Sequence, residues 1–160
     1  MSRALRILLA EDNPGDVFLV REALKRHSLE HELTVAKDGQ SAWQLIEAAD
    51  GALDPRFDLF LLDLNLPVRP GLELLGRIRA CKGDMSRALV LILTSSNWNH
   101  DRRTAVRDGA DYYFLKPSTL DAFLQLGAII RELWAARCGT ASSGRLVGMR
   151  IICDEGTNPT

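Results

Sequence analysis

The chain of 160 residues contains no apolar run long enough to cross a bilayer. Its longest, ALVLIL at 88–93, is six residues, where a membrane helix needs roughly 20. Cysteine is sparse. Cys81, Cys138 and Cys153 are odd in number, far apart and form no CxxC pair, which argues against a disulfide frame or a zinc site and for free thiols in a reducing compartment. No basic block is present, and the net charge is −1, so there is no electrostatic footprint for nucleic acid. Neither GxGxxG nor a P-loop follows the first apolar run, so nothing supports a glycine cradle for phosphate. The opening MSRALRILLAEDN runs into acids without a small-residue cleavage site and does not read as a signal peptide. His27, His31 and His100 are scattered, which suits surface placement better than a metal site. These absences predict a cytoplasmic protein that binds neither membrane nor nucleic acid.

What is present is an ordinary globular composition, 46% hydrophobic and 26% charged, enough for one domain with a real core. Short apolar runs at 6–10, 32–36, 57–62, 88–93 and 111–115 alternate with helical patterns at 14–27, 40–49, 71–81, 98–108 and 118–136. In the first helix Val17, Val20, Ala23 and Leu24 repeat at spacings of three and four, an amphipathic stripe. Pro14 sits where a first turn tolerates a missing N–H, and Gly109 is a candidate left-handed cap. Five strand–helix repeats predict an α/β fold, a doubly wound parallel sheet with helices on both faces. FDLFLL and ALVLIL are nearly continuous apolar runs, as strands buried on both faces should be. After Ala136 the small, polar RCGTASSG reads as a linker, and RLVGMRIIC as a short edge strand or an unordered tail. The expected division is a domain at 1–137 and a tail at 138–160.

Ligands of doubly wound sheets bind beyond the carboxyl ends of strands, at the switch in strand order. The first strand ends in adjacent acids, Glu11 and Asp12; the third ends in Asp63; the fourth in Thr94, Ser95 and Ser96; the fifth in Lys116 and Pro117. Any one acid alone is as readily a solvated loop residue or a cap, and Asp12 or Asn13 is a candidate cap for the first helix. Three carboxylates, a hydroxyl and a lysine converging on one rim are harder to explain that way. The set suits a hard cation such as Mg²⁺, which takes carboxylates, waters and phosphate oxygens. It would also explain how two adjacent acids are tolerated.

LLAEDN, LLDLNLP, LILTSS and YYFLKP, in that order at successive strand ends, resemble the receiver domain of two-component response regulators, over about Leu5 to Ala136. EDNPGDVFLVREAL, KPSTLDAFLQL and a Trp closing the last helix are similar to the stand-alone regulators of bacterial phytochrome histidine kinases. The resemblance implies a flavodoxin-like five-stranded sheet of order 2-1-3-4-5. It implies Asp63 as acceptor of a phosphoryl group from a sensor kinase's phosphohistidine, and Mg²⁺ held by Glu11, Asp12, Asp63 and the backbone carbonyl of Asn65. Lys116 would pair with Asp63 and later with a phosphoryl oxygen, and Thr94 would bond that phosphoryl group. Tyr113 would follow Thr94 inward, the plainer alternative being a half-buried tyrosine with its hydroxyl in water. Pro117 would follow a cis bond. PVRPGL departs from the family in carrying Pro70 where an acid usually precedes the glycine.

Only 24 residues follow Ala136, too few for a helix-turn-helix domain, so output by protein contact or phosphorelay is expected. In LDAFLQLGAIIRELW, ten of fifteen residues are apolar and surround the helix, whereas a helix on one sheet face needs a single stripe. Leu126, Ile129, Ile130, Leu133 and Trp134 are therefore expected to contribute to a homodimer interface with the fourth helix and fifth strand; a folded-back tail is the alternative cover. The competing function is a Mg-dependent phosphohydrolase with an aspartyl nucleophile. Such enzymes carry D-x-D on the first strand, whereas here adjacent Glu-Asp stands there and the nucleophile reads D-x-N. A non-enzymatic switch is the expectation.

Overall fold

The computed structural model describes residues 3–52, 54 and 57–139. Strands and helices alternate along the chain as β1 (Leu5–Ala10), α1 (Pro14–Arg26), β2 (His31–Ala36), α2 (Gly39–Ala49), β3 (Leu59–Leu62), α3 (Gly71–Arg79), β4 (Leu89–Thr94), α4 (Asn99–Arg107), β5 (Tyr112–Leu115) and α5 (Leu120–Arg137). The strands form one parallel sheet of order 2-1-3-4-5, the doubly wound topology expected. A 3₁₀ helix at Gly83–Arg87 between α3 and β4 was not anticipated. The tail from residue 140 on, with the edge-strand candidate at 145–153, lies outside the described residues.

Strand period fixes which side chains fill which face. Leu8, Ala10, Phe60, Leu62, Val90, Ile92 and Tyr113 meet Ile46 of α2, Leu74, Leu75 and Ile78 of α3 and Ala105 of α4. The alternate residues Ile7, Leu9, Leu59, Leu61, Leu91, Leu93 and Phe114 meet Val20, Ala23 and Leu24 of α1 and Phe123, Leu126 and Ile130 of α5. Every residue of the central β3 and β4 is buried. The edge strand β2 alternates between part-buried and exposed over most of its length.

The last helix requires a correction. Leu126 and Ile130 are 0% and 1% exposed within the single chain and have no surface to offer a partner. Helix α5 is covered twice, as its apolar surround demands, but by the sheet and by α1. Gly127 allows the close approach: a Cβ there would run into the Ala23 carbonyl. His27 Nε2 also lies 3.1 Å from the Leu124 carbonyl oxygen, within hydrogen-bond reach across the two helices. Ile129, Leu133 and Trp134 are partly buried against the same core. The Trp134 ring is covered by the Arg3 guanidinium, 5.6 Å from its centroid, while Arg3 forks onto the buried Asp58 at 2.6 and 2.7 Å.

Candidate functional site

Strands β1, β3, β4 and β5 deliver the site from their carboxyl ends. The run of buried residues in β1 ends on Glu11, 1% exposed, and exposed Asp12. The turn to α1 is then closed by Asn13, whose side chain accepts from the backbone N–H of Gly15 and Asp16. Of the two candidate caps, Asn13 is the cap, which leaves Asp12 to the pocket. β3 ends on Asp63, 5% exposed. The following turn doubles back so closely that a Cβ on Gly71 would run into the Asp63 carbonyl oxygen, so glycine is required there. Beyond β5, the Lys116 backbone N–H donates to the Thr94 carbonyl at 2.8 Å, which continues the ladder past the strand.

Here the side chains meet. Lys116 Nζ lies 2.9 Å from Asp63 Oδ2, 3.0 Å from Glu11 Oε2 and 2.8 Å from Asp16 Oδ2. The second oxygen of Asp63 accepts the Asn65 backbone N–H at 2.9 Å, and that of Glu11 accepts the Asn13 N–H at 3.1 Å. One carboxylate oxygen from each of Glu11, Asp12 and Asp63 lies within 4.8 Å of the others. Such close oxygen donors, rich in negative charge, fit a hard divalent cation. Three carboxylates contact one ammonium and a fourth, that of Asp12, lies close to two of them, so acids outnumber the base in the pocket.

Burial pushes the Glu11 carboxyl up to about 7; the Lys116 hydrogen bond opposes the rise and the charge of Asp63 adds to it. Burial acts on Asp63 in the same sense, but hydrogen bonds from Lys116 and the Asn65 amide outweigh it and hold Asp63 below its usual value. Burial would lower Lys116, yet its bonds to Asp16, Asp63 and Glu11 raise it. Asp63 is thus a buried, ionised carboxylate beside a fixed ammonium.

Thr94 is fully buried and its Oγ1 accepts the Ser96 backbone N–H at 3.2 Å. Tyr113 is 3% exposed, and its hydroxyl donates to the Ser96 carbonyl at 2.7 Å, so its hydroxyl is tied to the loop after β4 rather than to water. The expectation of a cis bond before Pro117 is wrong: no cis peptide occurs among the described residues. The Lys116 side chain is long enough to reach three acids from a trans backbone.

Sequence reasoning missed Asp16. It belongs to the first turn of α1 rather than to a strand end, where the other site residues lie. The signal was its position four residues after Asp12, in the first turn of a helix that starts at the pocket. Also missed was the clasp on the loop after Asp63. Arg69 lies 4.1 Å over Trp43 and donates to Gln40 at 2.7 Å, and the Pro67 carbonyl accepts the Gly39 N–H at 3.0 Å. This ties the loop holding Pro70 to α2, with Val68 exposed at its tip in a left-handed conformation, φ 73°.

An acid pocket with a lysine and a buried threonine, at the switch point of a 2-1-3-4-5 sheet, is the arrangement of a response regulator receiver domain. Residues 7–127 match the family model of that description, and the chain belongs to the family. It is 33% identical over 129 residues to response regulator Rcp1 of Synechocystis sp. (strain ATCC 27184 / PCC 6803 / Kazusa), covering 80% of this chain and 87% of that protein. Among solved structures it is similar to the phosphorylated cyanobacterial phytochrome response regulator RcpA, with TM-score 0.74, 31% identity and coverage of 88% and 98% of the two chains. It is also similar to the Mn²⁺-bound form of Rcp1, with TM-score 0.71, 33% identity and coverage of 81% and 94%. The likeness to phytochrome regulators read from EDNPGDVFLVREAL is therefore met.

Proposed function

We propose that residues 1–137 act as a single-domain phosphorylation switch: Asp63 takes a phosphoryl group from a phosphohistidine of a sensor kinase, and the modified face signals by protein contact. One observation carries this reading. The Asp63 carboxylate is buried, held at one oxygen by Lys116 and at the other by the Asn65 amide, beside Glu11 and Asp12.

A carboxylate oxygen of Asp63 attacks phosphorus, the P–N bond to the imidazole breaks, and its electron pair returns to the ring nitrogen. Mg²⁺ would be held by Glu11, Asp12, Asp63 and the Asn65 carbonyl, and when bound it neutralises phosphoryl charge. Lys116 supplies the remaining positive charge, for this chemistry is chiefly positioning and charge stabilisation. Thr94, whose hydroxyl carries a mobile proton, donates to the new phosphoryl oxygen, and the packing of Tyr113 against the β4–α4 loop reads out the change.

The partner is a histidine kinase, and by likeness to RcpA a bacteriophytochrome. Exposed large hydrophobics are Phe18 in α1, Val68 in the loop after β3, Trp98 before α4, Leu115 at the end of β5 and Leu120 at the start of α5. Exposed apolar side chains of this kind suit contact with a partner helix that presents a phosphohistidine. No helix among the described residues is long and apolar enough to cross a membrane.

Against the phosphohydrolase, the residue two positions after Asp63 is Asn65, whose amide cannot serve as the general acid that the D-x-D pattern supplies. Incubation with acetyl phosphate and Mg²⁺, followed by intact mass, tests the proposal. A single phosphate-sized gain that Asp63→Asn abolishes is expected. A gain that survives the substitution, or multiple turnovers of a generic phosphate ester, overturns it.

A further inference from the structure

Asp16 is in direct contact with Lys116, yet it is not one of the three acids whose oxygens cluster closely enough to share a metal. Its Oδ2 makes the shortest of the three Lys116 contacts, 2.8 Å against 2.9 Å to Asp63 and 3.0 Å to Glu11. An ammonium has three N–H donors, so Lys116 is saturated by carboxylates from the end of β1, the end of β3 and the first turn of α1. Two of these, Glu11 and Asp63, are the groups that must also turn oxygens toward a divalent cation. The Lys116 side chain is only 12% exposed, and a buried cation stripped of its partners is costly. Asp16 is the one partner with no other task.

We infer that Asp16 is a positioning residue for Lys116: it keeps the ammonium over the pocket while Glu11 and Asp63 commit their oxygens to a divalent cation. The inference rests on the proposed metal site. The simpler role for an acid in a first helical turn is to complement the helix dipole, and that role predicts an effect on stability with no dependence on Lys116. Asp16 is well fixed for the positioning task. Its backbone N–H donates to the Asn13 side chain at 3.3 Å, and its carboxylate, 21% exposed, is largely enclosed beside Lys116.

The test is isothermal calorimetry of Mg²⁺ binding to the full, unphosphorylated chain in four forms: wild type, Asp16→Asn, Lys116→Met and the double variant. Asp16→Asn is expected to weaken Mg²⁺ binding about tenfold in the wild-type background and less than about threefold when Lys116 is methionine, a coupling of the size that contacting charges show. Asp16→Glu, which keeps the charge, is expected to retain most of the affinity. Equal weakening in both backgrounds would make Asp16 a ligand or a remote charge and overturn the inference, as would no weakening in either. Absence of Mg²⁺ binding by the wild type would remove the metal reading itself, and this role with it.

Discussion

At the scale of single residues, the pocket is a problem in electrostatics that the chain has left unbalanced. Glu11 is buried among like charges, and its carboxyl is raised from an ordinary 4.5 to about 7. The sign follows from linkage: the native state binds this proton more tightly than the unfolded chain does, so the stability it contributes is present below about 4.5 and lost as pH rises to about 7. Asp63, held low, acts in the opposite sense: its stabilisation is present throughout the range above the usual carboxylate value and is lost only as pH falls below it. Urea denaturation in EDTA should therefore show stability falling between about pH 5 and 7, with the fall removed in Glu11→Gln. An unchanged slope in that variant would contradict the electrostatic account. Glu11, Asp12, Asp63, Thr94 and Lys116 could be found in the sequence because each follows a strand pattern by one or two positions. Asp16 could not be found that way, since its contact depends on how α1 leaves the sheet. The bond before Pro117 could not be read either, because the identity of a proline does not fix its isomer.

At the scale of elements, α5 shows what patterning can and cannot decide. Its apolar surround correctly demanded two covers. Which two depends on topology: β1–α1 and β5–α5 put both helices on one face of the sheet, and Gly127 lets them close. Leu126 is thus core, and Leu126→Ala should cost about 2–5 kcal/mol, the usual range for a buried leucine, measured by chemical denaturation of the isolated chain. A loss under about 1 kcal/mol would mean that the helix is not packed this way. The alternation of strands and helices was legible throughout, since β3 is wholly apolar, β4 is apolar up to Thr94 and the helical stripes are clear. The short 3₁₀ helix at Gly83–Arg87 was not, because a single turn has no periodicity to detect.

At the scale of the whole molecule, the winding of the sheet assembles one charged pocket from segments as distant as Glu11 and Lys116, and leaves β5 at an edge. Beside that edge lies a cavity of about 210 Å³ lined by residues that include Tyr112, Phe114, Leu115, Pro117 and Ile129. A homodimer contact at this edge, as expected from the sequence, would use this groove rather than the buried Leu126 and Ile130. Ile129→Asp should shift light-scattering mass toward monomer with folding intact; an unchanged mass would rule this groove out. The claim on which all else depends is that Asp63, Lys116 and a divalent cation act as one phosphoryl-binding unit. Fluorine NMR of the full chain with beryllofluoride, a phosphoryl mimic, tests it most directly. Bound resonances should appear only with Mg²⁺, vanish in Asp63→Asn and weaken in Lys116→Met. Bound signals that persist in EDTA or in Asp63→Asn would contradict it.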